Sequence, residues 1–251
     1  MMGSVRKWIK NQLPILFWGA AWHMLSLSLD NFLLLPGPAQ VLRRMGELVV
    51  TADFWRITGV SIGRILLGAA GGTVLGVGLA VLTTAFSPAD LLIAPVMTAV
   101  QATPVASFAI LVLIWMDRDY VPALICGMMV LPVVWSNVSA GIRETDSQLL
   151  EMAKVYRLTP VQVLRRIYVP SVLPYFRAAC SSGLGLGWKA GVAAEVLTVP
   201  KLSIGRMISE SKMYLMTEEL FAWTLAVIGL SLLLQRLMML VLKGRGDHAE
   251  T

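Results

Sequence analysis

Charge is what this 251-residue chain has least of: 14% of its residues are Asp, Glu, Lys or Arg, where a soluble domain carries about 25%. Cysteine and histidine are almost absent. Cys126 and Cys180 fall inside apolar runs, and His23 and His248 lie far apart in unlike settings, so neither a disulfide framework nor a metal site is indicated. No nucleotide-binding loop is present. Gly183-Leu184-Gly185-Leu186-Gly187-Trp188-Lys189 superficially suggests one, but Trp188 stands where the second Gly belongs and Ala190 where Ser or Thr belongs. No catalytic constellation is recognisable. Nucleic-acid binding is excluded as well, because the net charge of +6 is spread between apolar stretches rather than gathered on one polar face.

Hydrophobic runs are what the chain has in quantity. Hydrophobic residues make up 57% of it, and mean hydropathy is +0.72. About 20 apolar residues cross a bilayer, and the sequence divides into six such stretches, near 13–30, 63–86, 91–116, 120–142, 173–195 and 220–242. The fold class is therefore an all-α polytopic membrane protein, one transmembrane domain over 1–251. The start of the chain, Arg6-Lys7-Trp8-Ile9-Lys10 before an apolar run, has the form of a signal peptide; we expect that run to be retained as the first span. With the N-terminus inside, the cytoplasmic segments hold Arg6, Lys7, Lys10, Arg143, Lys154, Arg157, Arg165, Arg166, Lys243 and Arg245. The outer segments hold Arg43, Arg44, Arg56, Arg118, Lys201, Arg206 and Lys212. Ten against seven satisfies the positive-inside bias and places both termini in the cytoplasm.

Between the spans, Val41, Met45, Leu48 and Val49 share one face of a short helix expected to lie on the membrane surface. Ile204, Met207, Ile208 and Leu215 mark a second amphipathic piece. Gly68, Gly72 and Gly76 in the second span, and Gly183, Gly187 and Gly191 in the fifth, recur at four-residue spacing, which lets helix backbones approach closely in lipid. Pro95, Pro104, Pro122 and Pro132 are expected to interrupt spans three and four. Gln101, Thr103, Ser136 and Asn137 lie near them, so these spans either line a pathway or are simply kinked. Lys189 in the fifth span either attracts an anionic solute or is held by a neighbouring helix, with Glu195 at the outer interface.

The polar stretch 143–170 is longer than a connector requires. Thr145 with Gln148, and Thr159 with Pro160 and Gln162, read as two capping boxes, predicting two short helices that meet at a corner. Leu149, Leu150, Met152, Ala153, Val155, Tyr156 and Leu158 offer more apolar surface than one small helix buries on itself. That surface either receives a protein partner or packs on the ends of the spans.

Glu151-Met152-Ala153, with Ile167 and Pro170, resembles the EAA loop of binding-protein-dependent ABC importer permeases, in which Glu-Ala-Ala is followed at fixed spacing by Gly, Ile and Leu-Pro. Met152 replaces Ala, Val169 replaces Leu, and Arg157 stands at the Gly. That last departure questions a turn there and suggests that Thr159-Pro160 bends the chain instead. Leu35-Pro36-Gly37-Pro38, Phe54-Trp55, Ser61 with Arg64, Thr103 to Phe108, Asn137, and Gly185 to Glu195 resemble the nitrate, sulfonate and taurine branch. The resemblance implies a type I importer core over about 56–242 in the bacterial inner membrane. Two permease copies would pair, and a periplasmic or lipid-anchored binding protein would supply the solute. A cytoplasmic ATPase dimer would carry ATP and magnesium, leaving this chain without a cofactor. Glu151, Met152, Ala153, Tyr156, Arg157, Ile167 and Pro170 are the expected ATPase-coupling residues; Gln101, Thr103, Ser136, Asn137 and Lys189 are the expected substrate path. Two other readings are an ion-coupled secondary transporter, which would want paired intramembrane acids where Glu195 stands alone, and the membrane-coupling subunit of a vitamin importer.

Overall fold

The computed structural model describes residues 2–29 and 34–243; Arg245 and His248 lie outside them. No strand occurs among the described residues, whose helices are α1 Met2–Leu29, α2 Pro38–Val49, α3 Ala52–Ala85, α4 Ser87–Ala102, α5 Val105–Val112, α6 Val121–Arg143, α7 Ser147–Val155, α8 Pro160–Val163, α9 Val169–Thr198, α10 Ile204–Met213 and α11 Thr217–Lys243. A π-helical turn, Leu164–Tyr168, joins α8 to α9. By length and apolarity α3, α6 and α11 qualify as membrane spans, and α4 with α5 make a fourth if the bent pair is one span. α1 and α9 are of spanning length, at 28 and 30 residues.

The centre of the fold is α6, packed between α3 and α9. Its register with α3 follows from glycine. A Cβ on Gly68 would stand 2.1 Å from the Ala123 carbonyl oxygen, and one on Gly72 would stand 2.4 Å from that of Gly127. Backbones this close leave no room for a side chain, and dispersion between them replaces the hydrophobic effect that lipid cannot supply. On the opposite side of α6, Gly187 faces Cys126 and Val130, and Gly191 faces Ile65 of α3. Gly183 is looser, in ordinary contact with Val130 at 3.5 Å. Ile65, Val130, Val134, Val138, Leu184 and Trp188 fill the space between the three helices.

The other helices mount on this slab. Trp223 of α11 stacks on Phe54 with centroids 5.1 Å apart, and the Trp188 indole donates to the Val227 carbonyl. α2 presents Val41, Met45, Leu48 and Val49 inward, as their spacing predicts. It packs on protein rather than lying free on the membrane, because Arg44 reaches Glu219 of α11 at 2.7 Å. Arg44 and Arg43 together hold the Glu47 carboxyl below its usual range. α1 is tied at its far end, where Trp22 and Ser26 donate to the carbonyls of Pro36 and Leu35. In the second amphipathic piece, Ile204 is buried and Met207 and Ile208 pack on the core. Leu215 lies beyond α10, 66% exposed, with a positive φ of 55°.

Only one of the four prolines breaks its helix. Thr103, pushed to ψ 125° by the ring of Pro104, ends α4, and α5 leaves at a bend of 101°. The stretch 91–116 is thus a bent pair and not one straight span. Pro122 sits in the first turn of α6, where a missing N–H costs nothing. Pro95 and Pro132 are carried inside continuous helices.

Gly68→Ala is expected to lower the stability of the detergent-solubilised protein by about 1–3 kcal/mol. Gly71→Ala, where an added Cβ meets nothing within 4 Å, should leave the thermal midpoint unchanged.

Candidate functional site

Two short helices leave α6 and return to α9, forming the stretch singled out above. α7 begins one residue later than the Thr145 box predicts. Asp146 is its N-cap, accepting from the Gln148 amide at 2.8 Å, while Thr145 is buried and donates to the Gly141 carbonyl. A hydroxyl at the buried end of α6 bonds back onto its own helix, and the exposed carboxylate next to it takes the cap. The second box forms as predicted: the Gln162 amide donates to Thr159 Oγ1, and the Thr159 amide donates to Gln162 Oε1.

The corner between them turns at Arg157. Its φ is +49°; its amide donates to the Lys154 carbonyl and that of Leu158 to the Ala153 carbonyl. This is the Schellman ending of a helix, in which glycine is the usual occupant of the left-handed position. The resemblance places glycine at this same point. Arginine adopts the glycine conformation here, and the turn does not migrate to Thr159-Pro160.

α7 divides its residues between two faces. Ala153 is buried at 4% exposure and Ile167 likewise; these two seat the element on the body of the chain. Ala153 therefore packs inward, beneath the exposed face of α7. Glu151, Met152, Tyr156, Arg157 and Pro170 are exposed. Met152, Val155 and Tyr156 form an apolar outward face, at 44%, 79% and 72% exposure. The base of the element is closed where the Tyr175 hydroxyl donates to the Glu144 carboxylate. The Tyr175 ring lies against Gly141.

The five expected path residues are dispersed over α4, α6 and α9. Gln101, Ser136 and Lys189 are exposed and Thr103 and Asn137 half-buried. Thr103, Ser136 and Asn137 bond to carbonyls of their own helices. Among the described residues no hydrogen bond joins any two of the five. Lys189 has no partner on a neighbouring helix within the described chain.

Glu195 is enclosed by protein on every side. It is fully buried, and its carboxylate collects Arg64 Nη1 at 2.9 Å, Ser61 Oγ at 2.9 Å and the Gly205 amide at 3.2 Å. Ser61 Oγ accepts from the Ile204 amide. Arg64 also donates to the Lys201 carbonyl, whose residue's amide donates to Asp119. The network thereby joins α3, α9, the start of α10 and the 113–120 loop. Gly205 is required for it, since a Cβ there would stand 2.3 Å from that of Glu195. Helical spacing compares residues along one helix only, so it could not bring Arg64 to an acid 131 positions away. The available signal was an arginine and a glutamate each alone in an apolar run.

Replacing Glu195 by Leu should destabilise the protein by about 1–3 kcal/mol, because it leaves the buried Ser61 hydroxyl and Gly205 amide without their acceptor, while Arg64 keeps the Lys201 carbonyl and, 3.9 Å away, Asp119. Glu195→Gln, which still accepts from Ser61 and Gly205, should cost less. Thermal unfolding in detergent orders the two.

Relatives of the chain are transport proteins. It is 25% identical to the permease SsuC of Bacillus subtilis (strain 168), named for aliphatic sulfonates transport, over 88% of this chain and 82% of that one. It is 24% identical to the taurine transport system permease protein TauC of Escherichia coli (strain K12), over 85% and 80%. It is 27% identical to the riboflavin transport system permease protein RibX of Chloroflexus aurantiacus, over 90% and 86%. Residues 72–244, from the glycine face of α3 through α7 and α8 to the end of α11, match the binding-protein-dependent transport system inner membrane components, and the chain belongs to that family.

Proposed function

We propose that this chain is the permease subunit of an ATP-driven importer for a small anionic solute of the sulfonate or taurine kind, and that α7 is its coupling helix. The observation that carries the reading is α7 itself: a capped helix between two long helices, seated by Ala153 and Ile167, with Met152, Val155 and Tyr156 facing outward. An exposed apolar face with a charged rim suits a protein partner, here a cytoplasmic ATPase holding ATP and magnesium. Glu151 and Arg157 supply the rim. On the sequence reading of six spans with both termini in the cytoplasm, α7 lies on the ATPase side and the Arg64–Glu195 network on the side of a periplasmic or lipid-anchored binding protein. A second copy of the chain completes the path. Coupling follows from differential contact: closure of the ATPase dimer shifts the two α7 helices, and the bundle responds only if its two arrangements bind the ATPase differently. The Tyr175–Glu144 bond, at the base of the element, passes that displacement into α6 and α9 together.

Co-purification with the ATPase encoded beside this chain tests the reading. Met152→Asp and Tyr156→Ala alter exposed positions, so the protein should still insert, while ATPase recovery should fall by at least about tenfold, the equivalent of 1.4 kcal/mol. Undiminished recovery with both variants would remove α7 as the docking element.

A further inference from the structure

The helix that follows the α4–α5 break packs on the same stretch of α9 that carries the unpaired Lys189. Val105, the first residue after the break, packs on the cluster that holds Ala190 and Ala194 of α9. Lys189 is the neighbour of Ala190 and points outward from that contact. Gln101, Ala102 and Pro104 at the break are exposed, as are Ala178, Ser182, Leu186, Lys189 and Ala193 along one stripe of α9. Each observation separately requires water or a partner. Non-helical backbone at membrane depth is tolerated only where protein buries it or it lines a water-filled cavity, and the exposed break is not buried by this chain. A lysine within a spanning helix faces a cavity or a counter-charge, and among the described residues Lys189 has no counter-charge.

Escape to the nearer interface is also disfavoured. Lys189 lies nine residues before Thr198, about 14 Å along the axis. Side chains tilt toward the N-terminus of their helix, which for α9 is the cytoplasmic end, away from the nearer outer one.

Resting on the permease reading above, we propose that Lys189 and the Thr103–Pro104 break line a water-filled, anion-selective stretch of the translocation path, which a second copy of the chain completes with its own Lys189. The ligand class is a small sulfonate- or carboxylate-bearing solute. Lys189 acts on it as an unsatisfied cation in a low-dielectric channel, selecting the sign of the charge that passes. A surface of this kind concentrates the opposite charge by tenfold or more.

The test needs no knowledge of the natural solute. Ser182 lies seven residues from Lys189 on the same stripe, about 10 Å along the helix. Ser182→Cys in open membrane fragments is treated with two thiosulfonate probes of similar size, one bearing a sulfonate and one a quaternary ammonium. The unsubstituted chain, whose Cys126 and Cys180 are buried, supplies the blank, and Leu67→Cys, exposed on α3, the lipid-facing comparison. The sulfonate probe should react faster at Ser182→Cys by on the order of tenfold. Lys189→Gln should abolish that preference, and Lys189→Arg should keep it. A cysteine at 182 that reacts with neither probe overturns the wet path. Equal reaction with both, or a preference that survives Lys189→Gln, overturns the role of Lys189. ATPase co-purification of the same variants separates these outcomes from failure of the permease reading, which predicts that the ATPase remains bound in all of them.

Discussion

The close approach of α3 to α6 is the contact on which the other parts of this protein depend. Lipid offers apolar helices no reason to leave it for one another, so association must come from dispersion between surfaces that fit. Gly68 and Gly72 provide the fit by letting one backbone touch another. α9 packs on the α3–α6 pair through Gly187 and Gly191, and the three helices form a slab with long helices at set heights. The positions of the break, of Lys189 and of α7 are all heights along that slab.

The two ends of the slab are fastened by different chemistry. At one end the buried Glu195 gathers Arg64, Ser61 and the Gly205 amide, so the start of α10 is fastened to α3 and α9 by largely buried hydrogen bonds. An ion pair of this kind adds little net stability compared with an apolar replacement of the same shape. It does hold α3, α9 and α10 in one geometry. At the other end the fastening is exposed, between Tyr175 and Glu144 and between Arg143 and Asp90 at 2.8 Å. Surface pairs of this type are weak individually, so this end is held less firmly than the one at Glu195.

Much of this was legible in the chain. Apolar runs, glycines at four-residue spacing and the Thr159–Gln162 box are local patterns, and local patterns survive folding. The EAA-like spacing located α7 and the seat residue Ile167. Reading failed where two chemistries competed at adjacent positions: Thr145 and Asp146 both cap helices, and burial decided between them. At Ala153 it was silent on direction, because apolar residues on a short helix do not announce which of its faces is inward. Arg157 misled in another way, since its left-handed conformation is imposed by the hydrogen bonds of Leu158 and Arg157 itself and not by its own preference.

By itself the sequence determined that the chain is a helical membrane protein of the importer permease family with a two-helix polar element, because hydropathy, helical period and motif spacing are properties of neighbours along the chain. Tertiary structure alone decided that Glu195 is buried with Arg64, that of Pro95, Pro104, Pro122 and Pro132 only Pro104 breaks its helix, that Ala153 faces inward, and that Lys189 has no partner among the described residues. Each of these depends on which distant backbone arrives at a given depth, and in a medium without water that arrival decides where a charge or an unpaired carbonyl is permitted to be.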